Sequence, residues 1–121
     1  MKWQFDNDRP IYTQLVEQIE RQVLSGECPP GSRLPGVRDL AAEAAVNPNT
    51  MQRALAELES TGLLTTQSTN GRFVTEDTHY IEQLRDNLAA STTHDYVQKM
   101  RNLGCADDAV STLLKSALKE K

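Results

Sequence analysis

The feature that most constrains the fold of this sequence is a segment that carries helix-start signals at one end and a stop signal at the other. Asn47 is a favourable N-cap, Pro48 suits the first helical position, and Gly62 suits the residue just beyond the end. The apolar residues between them follow helical spacing: Met51, Ala54, Leu55 and Leu58. The pattern predicts a helix with one buried face and one free face.

Two further helices are predicted before this one. The first runs from Asp8-Arg9-Pro10 to Gly26, with its polar residues on the outer face. Its predicted inward stripe is Ile11, Leu15, Ile19 and Val23, and its predicted outer residues are Gln14, Glu17, Gln18 and Arg21. Three prolines and two glycines between residues 27 and 36 then forbid a helix. A second helix is predicted from Val37 to Ala45, with Gly36 as its N-cap.

A β-hairpin is predicted after the third helix. Two β-prone runs, Leu63 to Gln67 and Arg72 to Glu76, flank an Asn70-Gly71 pair that is typical of tight hairpin turns. Three helices followed by a hairpin is the order of a winged helix-turn-helix domain. The predicted fold is therefore mainly α with a small β-hairpin, with this domain occupying residues 1–76.

Residues 77–121 are predicted to form a helical region, either with one long helix or with two helices that kink near Ser91. Gly104 ends that segment, and Asp107 and Asp108 fall in the first turn of a last helix, where carboxylates complement the helix dipole. The apolar residues of this region exceed what a small head can cover, so we expect a two-fold dimer interface. The residues assigned to it are Ile81, Leu84, Leu88, Val97, Met100, Leu103, Val110, Leu113 and Leu114. The alternative is a tail that folds back on its own head as a monomer.

Charge and composition exclude several classes of function. The 121 residues carry 13 basic and 17 acidic side chains, a net charge of −4, so the chain is not a polycation that coats nucleic acid through bulk charge. No apolar run reaches the length of a membrane span, which predicts a cytoplasmic protein without membrane contact. Cys28 and Cys105 are predicted to be free thiols. No metal, cofactor or nucleophile motif is present, and the sequence predicts no enzyme.

The free face of the third helix carries side chains that suit contact with base edges. Asn49 and Gln52 can pair with adenine, and Arg53 with guanine, while the small Ala56 permits close approach. The alternative is an ordinary solvated face. Arg33, Arg38 and Arg72 add cations before and after this helix, but acids equal bases between residues 33 and 72. A DNA-binding role therefore requires Asp39, Glu43, Glu57 and Glu59 to lie away from the docking surface.

Several linked motifs resemble those of the GntR family of bacterial transcription regulators. They lie in unbroken order over roughly residues 9–76 and read Pro10-Ile11-Tyr12-x-Gln14-Leu15, Pro30-Gly31-Ser32-Arg33-Leu34-Pro35-Gly36-Val37-Arg38-Asp39-Leu40-Ala41, Val46-Asn47-Pro48-Asn49-Thr50-Met51-Gln52-Arg53-Ala54-Leu55 and Leu58-Glu59-x-x-Gly62-Leu63-Leu64. The short tail resembles the YtrA-like subgroup, whose members dimerise through two C-terminal helices. The resemblance implies a homodimeric repressor, often of its own operon and of ABC-transporter genes.

The resemblance also implies where double-stranded DNA is contacted. Carried over by position, and together with the cations above, the candidate contacts are Arg33, Arg38, Asn47, Asn49, Thr50, Gln52, Arg53, Gly71 and Arg72. This sequence departs from the family pattern at Gly36, Leu55, Thr69 and Arg72, where Ser, an aromatic residue, Gly and Thr are usual. Arg72 keeps a phosphate or minor-groove role open.

Two further hypotheses concern partners. Tyr80, His94 and Tyr96 could line a cleft for an unknown small-molecule effector, with packing or surface roles as the alternative. The acidic balance is also consistent with a winged-helix module that contacts proteins without binding an operator.

Overall fold

A computed structural model describes residues 2–120 of the chain. Within them, the chain divides into two compact units, one ending at Glu82 and the other beginning at Gln83. The first unit therefore includes the first turn of the helix that the sequence assigned to the tail, and Ile81 on this turn is only 4% exposed. No helix in the described part of the chain is long and apolar enough to span a membrane.

Three helices form the body of the first unit: α1 (Ile11–Leu24), α2 (Val37–Ala44) and α3 (Pro48–Ser60). Their ends follow the predicted signals. The Asn47 side chain caps α3 by accepting a hydrogen bond from the Asn49 amide at 2.7 Å, and the N-cap position of α2 is Gly36. Gly26 and Gly62 follow α1 and α3 with φ of +85° and +91°, a left-handed conformation that glycine adopts without strain.

The core is aliphatic and joins the three helices to the hairpin. Its largest side chains that are less than 2% exposed are Leu15, Ile19, Val23, Leu40, Met51, Leu55, Leu58, Leu63, Leu64 and Val74. All four residues predicted for the inner face of α3 are buried, so this helix is held by its aliphatic side. Its opposite side is left free to contact something else.

Two predictions for α1 are wrong. Ile11 is 37% exposed rather than inward, and Gln14 and Gln18 are 2% and 7% exposed rather than on a solvent face. Residues before α1 cover this side of the helix. The Gln18 amide exchanges two hydrogen bonds with the Gln4 backbone, at 3.0 and 2.6 Å, and Gln14 does the same with Asp6. Buried glutamines are stable here because their donors and acceptors are paired.

The hairpin has a different turn from the predicted one. Strands β1 (Leu64–Thr66) and β2 (Arg72–Val74) pair antiparallel with Leu64 opposite Val74, and residues 67–71 connect them through a short 3₁₀ turn. Asn70-Gly71 is therefore the end of a five-residue loop and not a two-residue turn. The connector adds a third strand-like segment, because Leu34 donates to the Arg72 carbonyl at 2.9 Å and Val74 donates to the Ser32 carbonyl at 2.8 Å.

The second unit contains most of α4 (Thr78–Asn102) and all of α5 (Asp107–Lys119). The alternative with two helices that kink near Ser91 is therefore wrong, because α4 continues through that residue. Gly104 ends the turn after α4 with φ of +88°, as predicted. Arg101 and Asp107 form a bidentate ion pair, both distances 3.0 Å, that joins the end of α4 to the start of α5.

Candidate nucleic-acid interface

The candidate interface is the free face of α3 with the segments on either side of it. Asn49, Gln52, Arg53 and Ala56 are all exposed, and Thr50 is half-buried at the start of the helix. The buried residues of α3 fix the orientation of this polar face, since they pack into the core. A rigid helix with amides and a guanidinium outward has the composition of a major-groove reader.

The start of α3 is shaped by the turn that joins it to α2. Ala45 has φ of +57° and ψ of +46°, a left-handed conformation, and the Val46 amide returns to the Ala41 carbonyl at 2.9 Å. This compact turn places the first amides of α3 at the surface. Pro48 has no backbone N–H and the Asn49 N–H is bonded to the Asn47 side chain. The polar side chains of Asn47 and Thr50, rather than a row of free amides, therefore suit this segment to a phosphate.

Arg53 is held by a residue on another helix. Its guanidinium carbon lies 3.9 Å from the centroid of the Tyr12 ring on α1, a stacked cation–π geometry. The nearby Glu57 carboxylate raises the pKa of Tyr12, chiefly because it favours the protonated hydroxyl as a hydrogen-bond donor, with burial adding to the effect. The sequence analysis did not assign Tyr12 a role, although its place in the Pro10-Ile11-Tyr12 motif was a signal that could have done so.

Three of the four acids near the interface contact neighbouring residues. The Trp3 indole donates to Glu43 at 3.3 Å, Glu57 lies beside Tyr12, and Glu59 pairs with Arg72. Asp39 differs, because it lines the same shallow hollow as Arg33. The expectation that all four acids lie away from the docking surface stays a prediction, and Asp39 offsets part of the positive charge beside Arg33.

The wing cations do not lie as the sequence suggested. Arg72 was expected at the wing tip, but its Nε donates to the Glu59 carboxylate of α3, and its side chain is only 19% exposed. Arg33 is exposed, and its guanidinium lies over the backbone of Gly71. Arg38 is exposed on α2. The structure thus leaves Arg33, Arg38 and Arg53 at the surface and turns Arg72 inward.

The tail residues assigned to dimerisation fall into three groups. Ile81 and Val110 are 4% and 7% exposed, so they are buried within their own chain. Leu84, Val97 and Met100 are half-buried. The exposed group is Leu88, Leu103, Leu113 and Leu114, and it gains a member that the sequence analysis missed, Leu118, which is 75% exposed. Cys28 and Cys105 are free thiols.

Helices α2 and α3 form a helix-turn-helix, the hairpin forms its wing, and α3 exposes a face that carries amide side chains. This arrangement defines a winged helix-turn-helix DNA-binding protein. The family model described as "Bacterial regulatory proteins, gntR family" matches residues 11–74. The uncharacterized HTH-type transcriptional regulator YhcF of Bacillus subtilis is 34% identical over 93% of this chain and 93% of its own length. The HTH-type transcriptional repressor YtrA of the same organism is 40% identical over 56% of this chain and 52% of YtrA.

Solved structures agree with this assignment. A GntR family transcriptional regulator from Listeria monocytogenes matches with a TM-score of 0.86 and 38% identity, over 93% of this chain and 98% of that one. AraR(DBD) in complex with operator ORX1 matches with a TM-score of 0.57 and 26% identity, over 62% of this chain and 96% of that one. The chain belongs to the GntR family. It is a transcriptional regulator, as its GntR-family relatives are, and not an enzyme.

Proposed function

We propose that this regulator is a homodimeric repressor that binds a palindromic operator through α3, with residues 1–76 reading DNA and residues 77–121 joining the subunits. The observation that carries the proposal is the division of α3 into a buried aliphatic face and an exposed face of amides and a guanidinium. The bound operator in the AraR(DBD) structure supports DNA as the ligand of such a head.

In the proposed complex, the exposed face of α3 enters the major groove. Asn49 and Gln52 read adenine, Arg53 reads guanine, and Ala56 allows the helix to approach the base edges. The Asn47 and Thr50 side chains contact a backbone phosphate, and Arg38 at the start of α2 contacts the same strand. Arg33 and Gly71 meet the neighbouring groove or backbone through the wing.

A dimer is proposed because one head covers only one half-site. Two heads related by a two-fold axis match a palindrome and multiply the contacts. The exposed leucines of the second unit support this step, because large apolar side chains left in solvent favour association. Leu113 and Leu114 lie on the same side of α5 as the buried Val110 and can extend its apolar stripe to a partner.

Repression follows from occupancy of a control region that RNA polymerase also needs. The relative named as a transcriptional repressor supports this direction of regulation. By the same resemblance, we propose the regulator's own operon and ABC-transporter genes as its targets.

The test is electrophoretic mobility retardation with the DNA directly upstream of the regulator's own gene. We expect retardation at low salt that Arg53→Ala abolishes. Arg21→Ala is the matched control, because it removes one exposed arginine from α1 in a hollow lined by Gln18 and Gln22. Retardation lost equally in both variants would indicate bulk charge, and no retardation of the natural sequence would favour a protein-contact module.

A further inference from the structure

The starting observation is that the wing carries two arginines in different electrostatic states. Arg72 begins β2 and its guanidinium is bound to Glu59 on α3, with the two side chains 19% and 28% exposed. Burial raises the pKa of Glu59, but hydrogen bonds from Arg72 and Thr66 outweigh this and lower it overall. The charge of Arg72 is therefore already compensated inside the protein.

Arg33 lies in the opposite situation. It pairs with Phe73 across an isolated bridge at the edge of the wing, and within residues 2–120 it forms no ion pair. Its guanidinium lies so close to Gly71 that a Cβ there would meet Nε at 3.0 Å and Nη2 at 3.4 Å. Gly71 also has φ of +106°. A glycine at this position both permits the backbone conformation and leaves room for the arginine.

We propose that Arg33 supplies the wing's contact to a DNA phosphate, whereas Arg72 is a positioning residue that ties the wing to α3 through Glu59. The proposal rests on the proposed DNA-binding function. A side chain that contacts a DNA phosphate must bring an uncompensated positive charge, which displaces counterions from the DNA. Arg33 carries such a charge. Moving Arg72 to DNA would leave a partly buried Glu59 carboxylate without its partner, which is unfavourable.

The ion pair between Arg72 and Glu59 has a structural role in the wing. Strands β1 and β2 contain three residues each, and a sheet this short is marginal even with the connector bonded to β2, so side-chain contacts to the helices add support. Glu59 lies near the end of α3, so its pairing with Arg72 fixes the wing relative to the helix that reads bases. Arg33 and Gly71 are thereby held at a fixed position beside the DNA.

The experiment compares Arg33→Gln and Arg72→Gln, which remove the same charge. Binding to a random-sequence duplex is measured over a range of salt, and binding to a duplex selected by the natural protein is measured at one salt. We expect Arg33→Gln to lower the slope of log affinity against log salt by about 0.9. Arg72→Gln should leave that slope unchanged and weaken binding to the selected duplex. Arg72→Lys should restore the affinity for the selected duplex, because a lysine can still reach Glu59.

The opposite pattern, a slope that falls in Arg72→Gln and not in Arg33→Gln, would overturn the proposal. A measurement without DNA separates this failure from that of the proposed function. Solvent exchange of the Arg72 Nε–H should be slow in the free protein and fast in Glu59→Ala, which removes the acceptor. If the natural protein retards no duplex, the proposed function fails, while fast exchange in the natural protein would reject the tie itself.

Discussion

At the scale of single residues, Arg53, the side chain proposed to read guanine, stacks on an aromatic ring from outside its own helix. The Arg53 guanidinium carbon lies 3.9 Å from the centroid of the Tyr12 ring, and this contact limits the freedom of the arginine side chain. We predict that Tyr12→Leu weakens binding to a selected duplex about two- to five-fold, the range for an exposed cation–π contact. Tyr12→Phe is the control, because it keeps the ring and loses only the hydroxyl beside Glu57. Unchanged binding in Tyr12→Leu would contradict the prediction, and tighter binding would show that Arg53 leaves the ring on DNA.

Glu59 gives the first unit a pH-dependent contribution to stability. Its folded-state pKa lies below the ordinary 4.5, because the hydrogen bonds from Arg72 and Thr66 outweigh the opposing effect of burial. The stabilisation is therefore present above the ordinary pKa and is lost as the pH falls through the lowered value. Urea unfolding at pH 7 and pH 3 should show a smaller loss of stability on acidification in Glu59→Gln than in the natural protein. Arg72→Gln should reduce the loss likewise, and an undiminished loss in both variants would contradict the assignment.

At the scale of elements, the turn between α2 and α3 contains strain that one substitution can relieve. Ala45 adopts the left-handed conformation at φ +57°, which costs a residue with a Cβ about 1–2 kcal/mol. Glycine avoids this cost but has more freedom to lose on folding, about 0.4–1 kcal/mol. Ala45→Gly should therefore raise the free energy of unfolding by about 0.5 kcal/mol. Ala42→Gly, at an exposed position within α2, should lower it by about 1 kcal/mol, and denaturant titration distinguishes the two.

The elements themselves were largely predictable because their signals are local. Asn47, Pro48 and Gly62 mark the limits of α3 through capping chemistry that acts within one turn. The errors come from contacts between distant segments. Gln14 and Gln18 look like surface residues until the backbone of Gln4 and Asp6 lies against them.

The wing shows the same limit at the candidate site. By local preference, Asn70-Gly71 predicts a tight two-residue turn. In the structure the loop between the strands is five residues long, and β2 also pairs with the connector. The position of Arg72 next to Gly71 suggested a free cation. In the structure Arg72 is paired with Glu59, which lies thirteen residues away in sequence, and no local pattern indicates this pairing.

At the scale of the whole molecule, the exposed leucines of the second unit give a direct test of assembly. Leu113 and Leu114 are 51% and 43% exposed, so a glutamate at each should not disturb the fold of one chain. We predict that Leu113→Glu with Leu114→Glu converts a dimer of about 27 kDa, twice the chain mass of 13.5 kDa, into a monomer in sedimentation velocity. Helix content should stay unchanged, and affinity for a palindromic duplex should fall much more than affinity for a single half-site, because only the palindrome needs two heads.

Thr112→Glu, on the other side of α5, is the control and should remain dimeric. A double variant that still sediments as a dimer would place the interface elsewhere in the chain.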